Sequence, residues 1–247
     1  HIPFQKPIET FSEYAGKIDI LQVNGDLVDA QAISRFNKVY RKSPMEEILI
    51  ARQYMIDLIE MLQPKKVVVN YGNHDLRFQN YLAKNLDTDL LELMPKTSLE
   101  LIFVDGFNHY NKELHTKVHY DPLIDVFKDS GIEIVYNDTW FSFVGETIFV
   151  HPLAYSSGML KTAEKAYRYF KDNDYFFDNI VMAHTHKTGH YDIGNSVIYE
   201  QGCCCETSKM DYADGKLTPS QREGFILVYQ DKFGRLNEDK TRIVRLN

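Results

Sequence analysis

Apolar and polar positions follow two rhythms along this chain. Four short runs, Ile18–Val23, Lys66–Tyr71, Thr147–Val150 and Asn179–Met182, are apolar, rich in β-branched residues and bounded by turn formers, as buried strands are. Between the first two the period changes to that of a helix. Ile48, Ala51, Met55, Leu58, Ile59 and Leu62 form one stripe of a helix predicted over Pro44–Leu62. Ser43-Pro44 is its start signal and Gln63-Pro64 its stop. Strand, helix, strand in that order predicts a parallel pair joined by a right-handed crossover.

Weaker patterning fills in the rest. Thr10–Gly16 and Ala30–Tyr40 read as helices. From about residue 76 to 121 the pattern loosens into an Asn- and Tyr-rich insertion or cap, with weak helices at Arg77–Asn85 and Leu90–Met94 and one strand-like run, Leu99–Val104. A helix over Asp121–Lys128 precedes short strands at Ile132–Tyr136 and Trp140–Phe143, and Gly145-Glu146 is a hairpin signal before Thr147. Gly158–Phe170 reads as a helix. Val197–Gln201, Gly224–Tyr229 and Ile243–Leu246 read as closing strands.

Each of the four strand runs ends in residues able to hold a metal ion. The first passes into Asn24-Gly25-Asp26-Leu27-Val28-Asp29 and the second into Gly72-Asn73-His74-Asp75. The third stops at His151, and the fourth passes into Ala183-His184-Thr185-His186. In an open α/β sheet the ligand crevice lies beyond the carboxyl ends of the strands. One Asp, one Asn and three His there offer oxygen and imidazole donors suited to Mn, Fe, Zn or Ni. Each ending alone has a plainer reading: Gly-Asn-His-Asp forms turns, and Asp ahead of a helix is a common N-cap. Four in order, each after a strand, point to one site. His184 and His186 stand at i and i+2, so extended backbone would turn both rings to one side.

Composition narrows the class. With 44% hydrophobic and 26% charged residues the chain reads as an ordinary globular protein. No apolar stretch is long enough to span a bilayer, so no membrane partner is expected. A formal charge of −7 argues against a protein that coats nucleic acid by general electrostatics, and leaves a local positive patch open. All three cysteines are consecutive, Cys203-Cys204-Cys205, which excludes a disulfide framework. A buried strand in a reducing cytosol is expected there. With no basic-then-apolar leader visible, the expected location is cytoplasmic. Lys161, Lys165 and Arg168 fall on one helical face, either solvated or a track for phosphates. His109, His115, His119 and His190 read as surface residues.

Gly25-Asp26-x-x-Asp29, Gly72-Asn73-His74-Asp75, the lone His151 and His184-Thr185-His186 together resemble the ordered signature of the calcineurin-like metallophosphoesterases. The resemblance covers almost the whole chain and is closest in flavour to compact stand-alone phosphoesterases of phage and bacteria. The family's opening Asp-x-His is half present: His1, ahead of Ile2-Pro3-Phe4, resembles its His, with the Asp two residues upstream and outside the sequence. Ala183 and Pro152 stand where Gly is common, and neither removes a ligand.

The resemblance implies an α/β fold, a four-layer α-β-β-α sandwich of two mixed sheets with helices outside, as a single domain over residues 1–247. It implies two divalent metal ions, Mn foremost, with Ni, Fe or Zn as alternatives. One would take His1, Asp26, His186 and the upstream Asp. The other would take Asp26, Asn73, His151 and His184, with Asp26 as the bridge. A hydroxide between the metals would attack a phosphate mono- or diester while His74 protonates the leaving oxygen. Asp29 and Asp75 would orient neighbouring groups, and Arg77 would hold a substrate phosphate. The expected partner is a phosphoester, nucleotide or nucleic acid included, met in the host cytoplasm if the chain is phage-encoded. Monoesterase and diesterase stay open. A different class, a catalytically weak scaffold of the same fold that binds a phosphorylated partner, is the alternative. A purple-acid-phosphatase type is set aside, since it needs a Tyr where Asp29 stands.

Overall fold

A computed structural model describes residues 5–34, 42–156, 158, 160–209 and 221–246. The chain divides into two compact units, one built on Pro7–Asp138 and the other on Thr139–Asn247.

The first unit carries a sheet of β1 (Ile20–Asn24), β2 (Lys66–Asn70) and β5 (Glu133–Asn137), in the order β1-β2-β5 and parallel throughout. Among the described residues this sheet has no antiparallel strand of the kind the family resemblance implied. The crossover helix α1 (Pro44–Leu62) has the predicted bounds. The Ser43 hydroxyl accepts the Glu46 N–H, Pro44 opens the first turn, and Gln63 closes the helix in left-handed backbone. All six residues of the predicted stripe are buried. The three strands end level, Asn24 beside Asn70 beside Asn137. The Asn70 amide donates to Asn24 Oδ1 at 2.9 Å and its Oδ1 accepts from Gln22 at 2.7 Å. Level ends deliver the loops after β1 and β2 to the same edge of the sheet.

Between β2 and β5 lie three short helices, α2 (Arg77–Leu82), α3 (Thr88–Leu91) and α4 (Ser98–Glu100), then a hairpin of β3 (Phe107–Asn111) and β4 (Thr116–Tyr120), then α5 (Leu123–Val126). The run Leu99–Val104 is helical, not a strand: α4 passes into a π-helical turn, Leu101–Asp105. Leu99, Ile102 and Phe103 are buried while Val104 and Asp105 are exposed. That spacing belongs to a helix, and the Thr97 side chain caps it by accepting the Glu100 N–H. The hairpin was not expected, because its Asn, His and Lys residues carry little strand propensity. Its turn is held by Asn111 Oδ1, which accepts the N–H groups of Glu113 and Leu114. Phe107 stacks on Tyr120 across the pair, 5.2 Å between ring centres. Of the helix expected over Ala30–Tyr40, the described part holds a single 3-10 turn, Gln31–Ile33. Residues 35–40 lie outside the described residues.

The second unit is a five-stranded mixed sheet, β6 (Phe141–Val144), β7 (Thr147–Val150), β8 (Asn179–Met182), β9 (Thr188–Ile193) and β10 (Ser196–Gln201), in the order β6-β7-β8-β10-β9. β7, β8 and β10 run parallel, with β6 and β9 antiparallel on the edges. Helix α6 (Lys161–Asp172) covers one face, burying Ile148, Val150, Ile180, Met182 and Ile198 against Ala163, Ala166 and Phe170. The alternate residues Phe149, Val181, Val197 and Tyr199 face a second cluster with Ile226, Val228 and Leu236. A strand buried on both faces reads as a near-continuous apolar run, which is why β7 and β8 were plain in the sequence. Gly145 turns the β6–β7 hairpin at φ 56°, where a Cβ would come 2.5 Å from the Gly234 carbonyl oxygen. The closing strands β11 (Gly224–Leu227) and β12 (Arg242–Arg245) pair with each other.

The three cysteines follow β10 rather than extending it. Cys203 and Cys205 make isolated bridges to Glu223 and Gln5, and all three are free. Burial pushes the Cys204 thiol up to about 12, so it is not a reactive thiolate. On α6, Glu164 pairs with both Lys161 and Arg168, which favours a solvated face over a phosphate track. Among the described residues no helix is long and apolar enough to cross a membrane.

Candidate metal centre

In the first unit, β1 leaves the sheet through two consecutive left-handed residues, Gly25 (φ 73°) and Asp26 (φ 56°). Such backbone costs a non-glycine residue roughly 1–3 kcal/mol and persists where its surroundings hold it. Asp75 is the holder. It is fully buried, and its Oδ2 accepts the N–H of Asp26 and the N–H of Gly72, both at 2.8 Å. The Ser98 hydroxyl donates to its other oxygen at 3.4 Å. The His74 N–H in turn donates to Asp26 Oδ1 at 2.8 Å. The two loops are thus tied to each other by their own candidate residues, with Asp26 nearly buried at the junction.

The His74 ring is fixed at both nitrogens. Nδ1 lies 2.7 Å from Asp29 Oδ1, and Nε2 lies 3.0 Å from Arg77 Nη2. A guanidinium can only donate, so Nε2 accepts, which places the ring proton on Nδ1 where it donates to Asp29. Arg77 Nη1 also donates to the Asp29 carbonyl and to Oδ1, each at 2.7 Å. Asp29, His74 and Arg77 are bonded to one another in one group. Asn73, half-buried, sits in the turn between β2 and α2.

In the second unit, parallel pairing sets Val150 of β7 level with Met182 of β8, and the Ala183 N–H donates to the Val150 carbonyl at 3.0 Å. The next residues, His151 and His184, therefore emerge together. Their rings are 5.2 Å apart and tilted by 68°, and each offers a ring nitrogen within 4.8 Å of the other's. His151 is 1% exposed. His184 (φ 82°) and His186 (φ 55°) are both left-handed, so the argument from extended i, i+2 alternation does not hold. His186 is instead placed by its neighbours: Gln221 Nε2 lies 3.1 Å from its Nδ1, and its carbonyl accepts the Arg222 N–H. Thr185 between them donates to Glu200 Oε1 at 3.2 Å. Burial holds the Glu200 carboxyl above its ordinary range, opposed by Thr185 and Lys187. His1 lies outside the described residues.

Among the described residues eight non-glycine positions have positive φ, and Asp26, His184 and His186 are three of them. Strain concentrated on oxygen and imidazole donors is what a ligand site requires. Two imidazole nitrogens this close suit a cation with bonds of about 2.0–2.1 Å, so the donors present fit divalent metal.

The family model for calcineurin-like phosphoesterase matches residues 1–188. The chain belongs to the calcineurin-like phosphoesterases. The match spans every candidate ligand from His1 to His186, and no curated protein matches the chain. As a calcineurin-like phosphoesterase it falls in a family of metal-dependent hydrolases of phosphoesters. Sequence reasoning missed Ser98, Glu47, Glu200 and the pair Tyr155 and Lys187. None belongs to a motif, and each is brought in by packing. The nearest signal was Tyr155, four residues past His151.

Proposed function

We propose that this calcineurin-like phosphoesterase is a dinuclear metal-dependent hydrolase of phosphate mono- or diesters. His1, Asp26, His186, Asn73, His151 and His184 would be its ligands and Asp26 the bridge, with Mn the best-suited ion and Ni, Fe and Zn as further fits. The bound ions would supply an activated water and a clamp for phosphate oxygens. The observation that carries the reading is the Asp26 junction: a strained, nearly buried carboxylate fixed by Asp75 and tied to the His74 backbone, inside a family match that spans all six ligands.

The chain's own residues supply the rest. Asp29 keeps the His74 proton on Nδ1 and Nε2 toward Arg77. An arriving phosphate draws the Arg77 guanidinium to its oxygens, as a bidentate donor suits an oxyanion. Nε2, no longer accepting from Arg77, takes up a proton from solvent, Asp29 stabilises the imidazolium through Nδ1–H, and Nε2 passes that proton to the leaving oxygen. Within this proposal the chain is a cytoplasmic single-domain four-layer sandwich, with residues at about 76–121 as its cap.

The test is metal dependence. Exhaustive chelation should abolish hydrolysis of generic mono- and diester substrates, and added Mn should restore it. Asp26→Asn should lose metal and rate together. Full activity after chelation, or Asp26→Asn with normal metal content and rate, would falsify the dinuclear reading.

A further inference from the structure

Beside His184 stands an aromatic side chain that no motif contains. The Tyr155 ring centre is 6.2 Å from that of His184, tilted by 66°, and Tyr155 is 52% exposed. It is not a loose surface residue. The Lys187 ammonium lies 5.5 Å from the ring centre, and Lys187 is itself only 6% exposed. That buried cation braces the ring by cation–π attraction, and Glu200 beneath is close enough to feel the Lys187 charge. The next residue is pinned as well. The Ser156 N–H donates to Thr162 Oγ1 at 3.0 Å, Thr162 is buried on α6, and the Lys165 ammonium donates to the Ser156 hydroxyl at 2.8 Å. A braced ring with half its surface open, at the rim of a candidate ligand, is a preorganised surface for a flat group.

We infer that Tyr155 is a stacking platform that selects phosphoesters carrying a flat aromatic group, a nucleobase or an aryl ring. This rests on the proposed function, which puts the phosphate on the His184 side. A ring face attracts any flat group alike, so the platform reads flatness and not base identity, as aromatic platforms for single-stranded nucleotides do. Alkyl phosphoesters gain nothing from it.

The experiment compares adenosine 5′-monophosphate, phenyl phosphate and ribose 5-phosphate, by equilibrium binding to the full chain loaded with Mn. Stacking of this kind corresponds to a preference of roughly 5- to 150-fold. The wild type should bind one or both aromatic ligands that much more tightly than ribose 5-phosphate. Which of the two gains tells a nucleobase from an aryl group. Tyr155→Phe should keep the preference and Tyr155→Ala should erase it. Equal affinities in the wild type, or a preference that survives in Tyr155→Ala, overturns the inference. Hydrolysis of the same ligands is followed in parallel. Preference without hydrolysis of these ligands or of a generic diester leaves the platform standing and removes the phosphoesterase reading, and hydrolysis without preference does the reverse.

Discussion

Glu47 is open to experiment because it is an acid shut away from water. It sits on α1 with no accessible surface. Its Oε2 accepts the Ala30 N–H at 2.7 Å, while Oε1 has no hydrogen-bond partner among the described residues. Burial pushes its carboxyl up from the ordinary 4.5 to about 7, against the pull of the Ala30 N–H and with added repulsion from Asp29. Asp29 is the charged group whose field reaches it. On its own helix Glu46 turns outward and pairs with Lys42. Below pH 4.5 the acid is neutral whether the chain is folded or unfolded, and stability is unaffected. Between 4.5 and about 7 the unfolded chain has lost the proton and the folded chain has kept it, so stability falls as pH rises. At about 1.4 kcal/mol per pH unit the loss reaches ~3 kcal/mol, complete above pH 7. Glu47→Gln removes the titration, and whatever its buried amide costs is the same at every pH. Thermal unfolding of both proteins should therefore show the variant gaining on the wild type between pH 4 and pH 8, by about 6–12 °C for a chain of this size. A melting difference equal at both ends of that range would refute the assignment of a buried neutral acid.

Two further outcomes follow from the loops after β1 and β2. His74→Ala should retain bound metal and lower the rate by roughly 10²–10⁴-fold, least for a nitrophenyl ester whose leaving group needs no proton. Lost metal in that variant would make His74 structural. Asp75→Ala strands the Asp26 and Gly72 N–H groups, which a buried environment penalises by about 1–3 kcal/mol each. Its melting temperature should drop accordingly, and an unchanged melt would show that water replaces the carboxylate.

Much of the architecture was legible in the sequence wherever one rhythm held for long enough. Helix α1 was readable end to end because its cap, first-turn proline, apolar stripe and stop all agreed. β7 and β8 were readable because, after Thr147 and Asn179 at their starts, strands covered on both faces run apolar without a break. The run Leu99–Val104 misled because five apolar residues around Glu100 suit a strand or a buried helix equally, and the deciding spacing of Leu99, Ile102 and Phe103 is only one turn long. The β3–β4 hairpin is held by a turn amide and one aromatic pair, which composition does not advertise.

The sequence by itself determined which donors stand at the strand ends, since residue type and order are properties of the chain. Tertiary structure alone decided how those donors are aimed. Left-handed backbone at Asp26, His184 and His186 is unfavourable locally and persists where long-range partners such as Asp75 and Gln221 hold it. The tautomer of His74 is likewise set by Asp29 and Arg77, which lie three to 45 residues away in sequence and meet it only when the two loops close. Local preference selects strands and helices, but a strained ligand is a long-range debt, and only the folded chain shows which groups carry it.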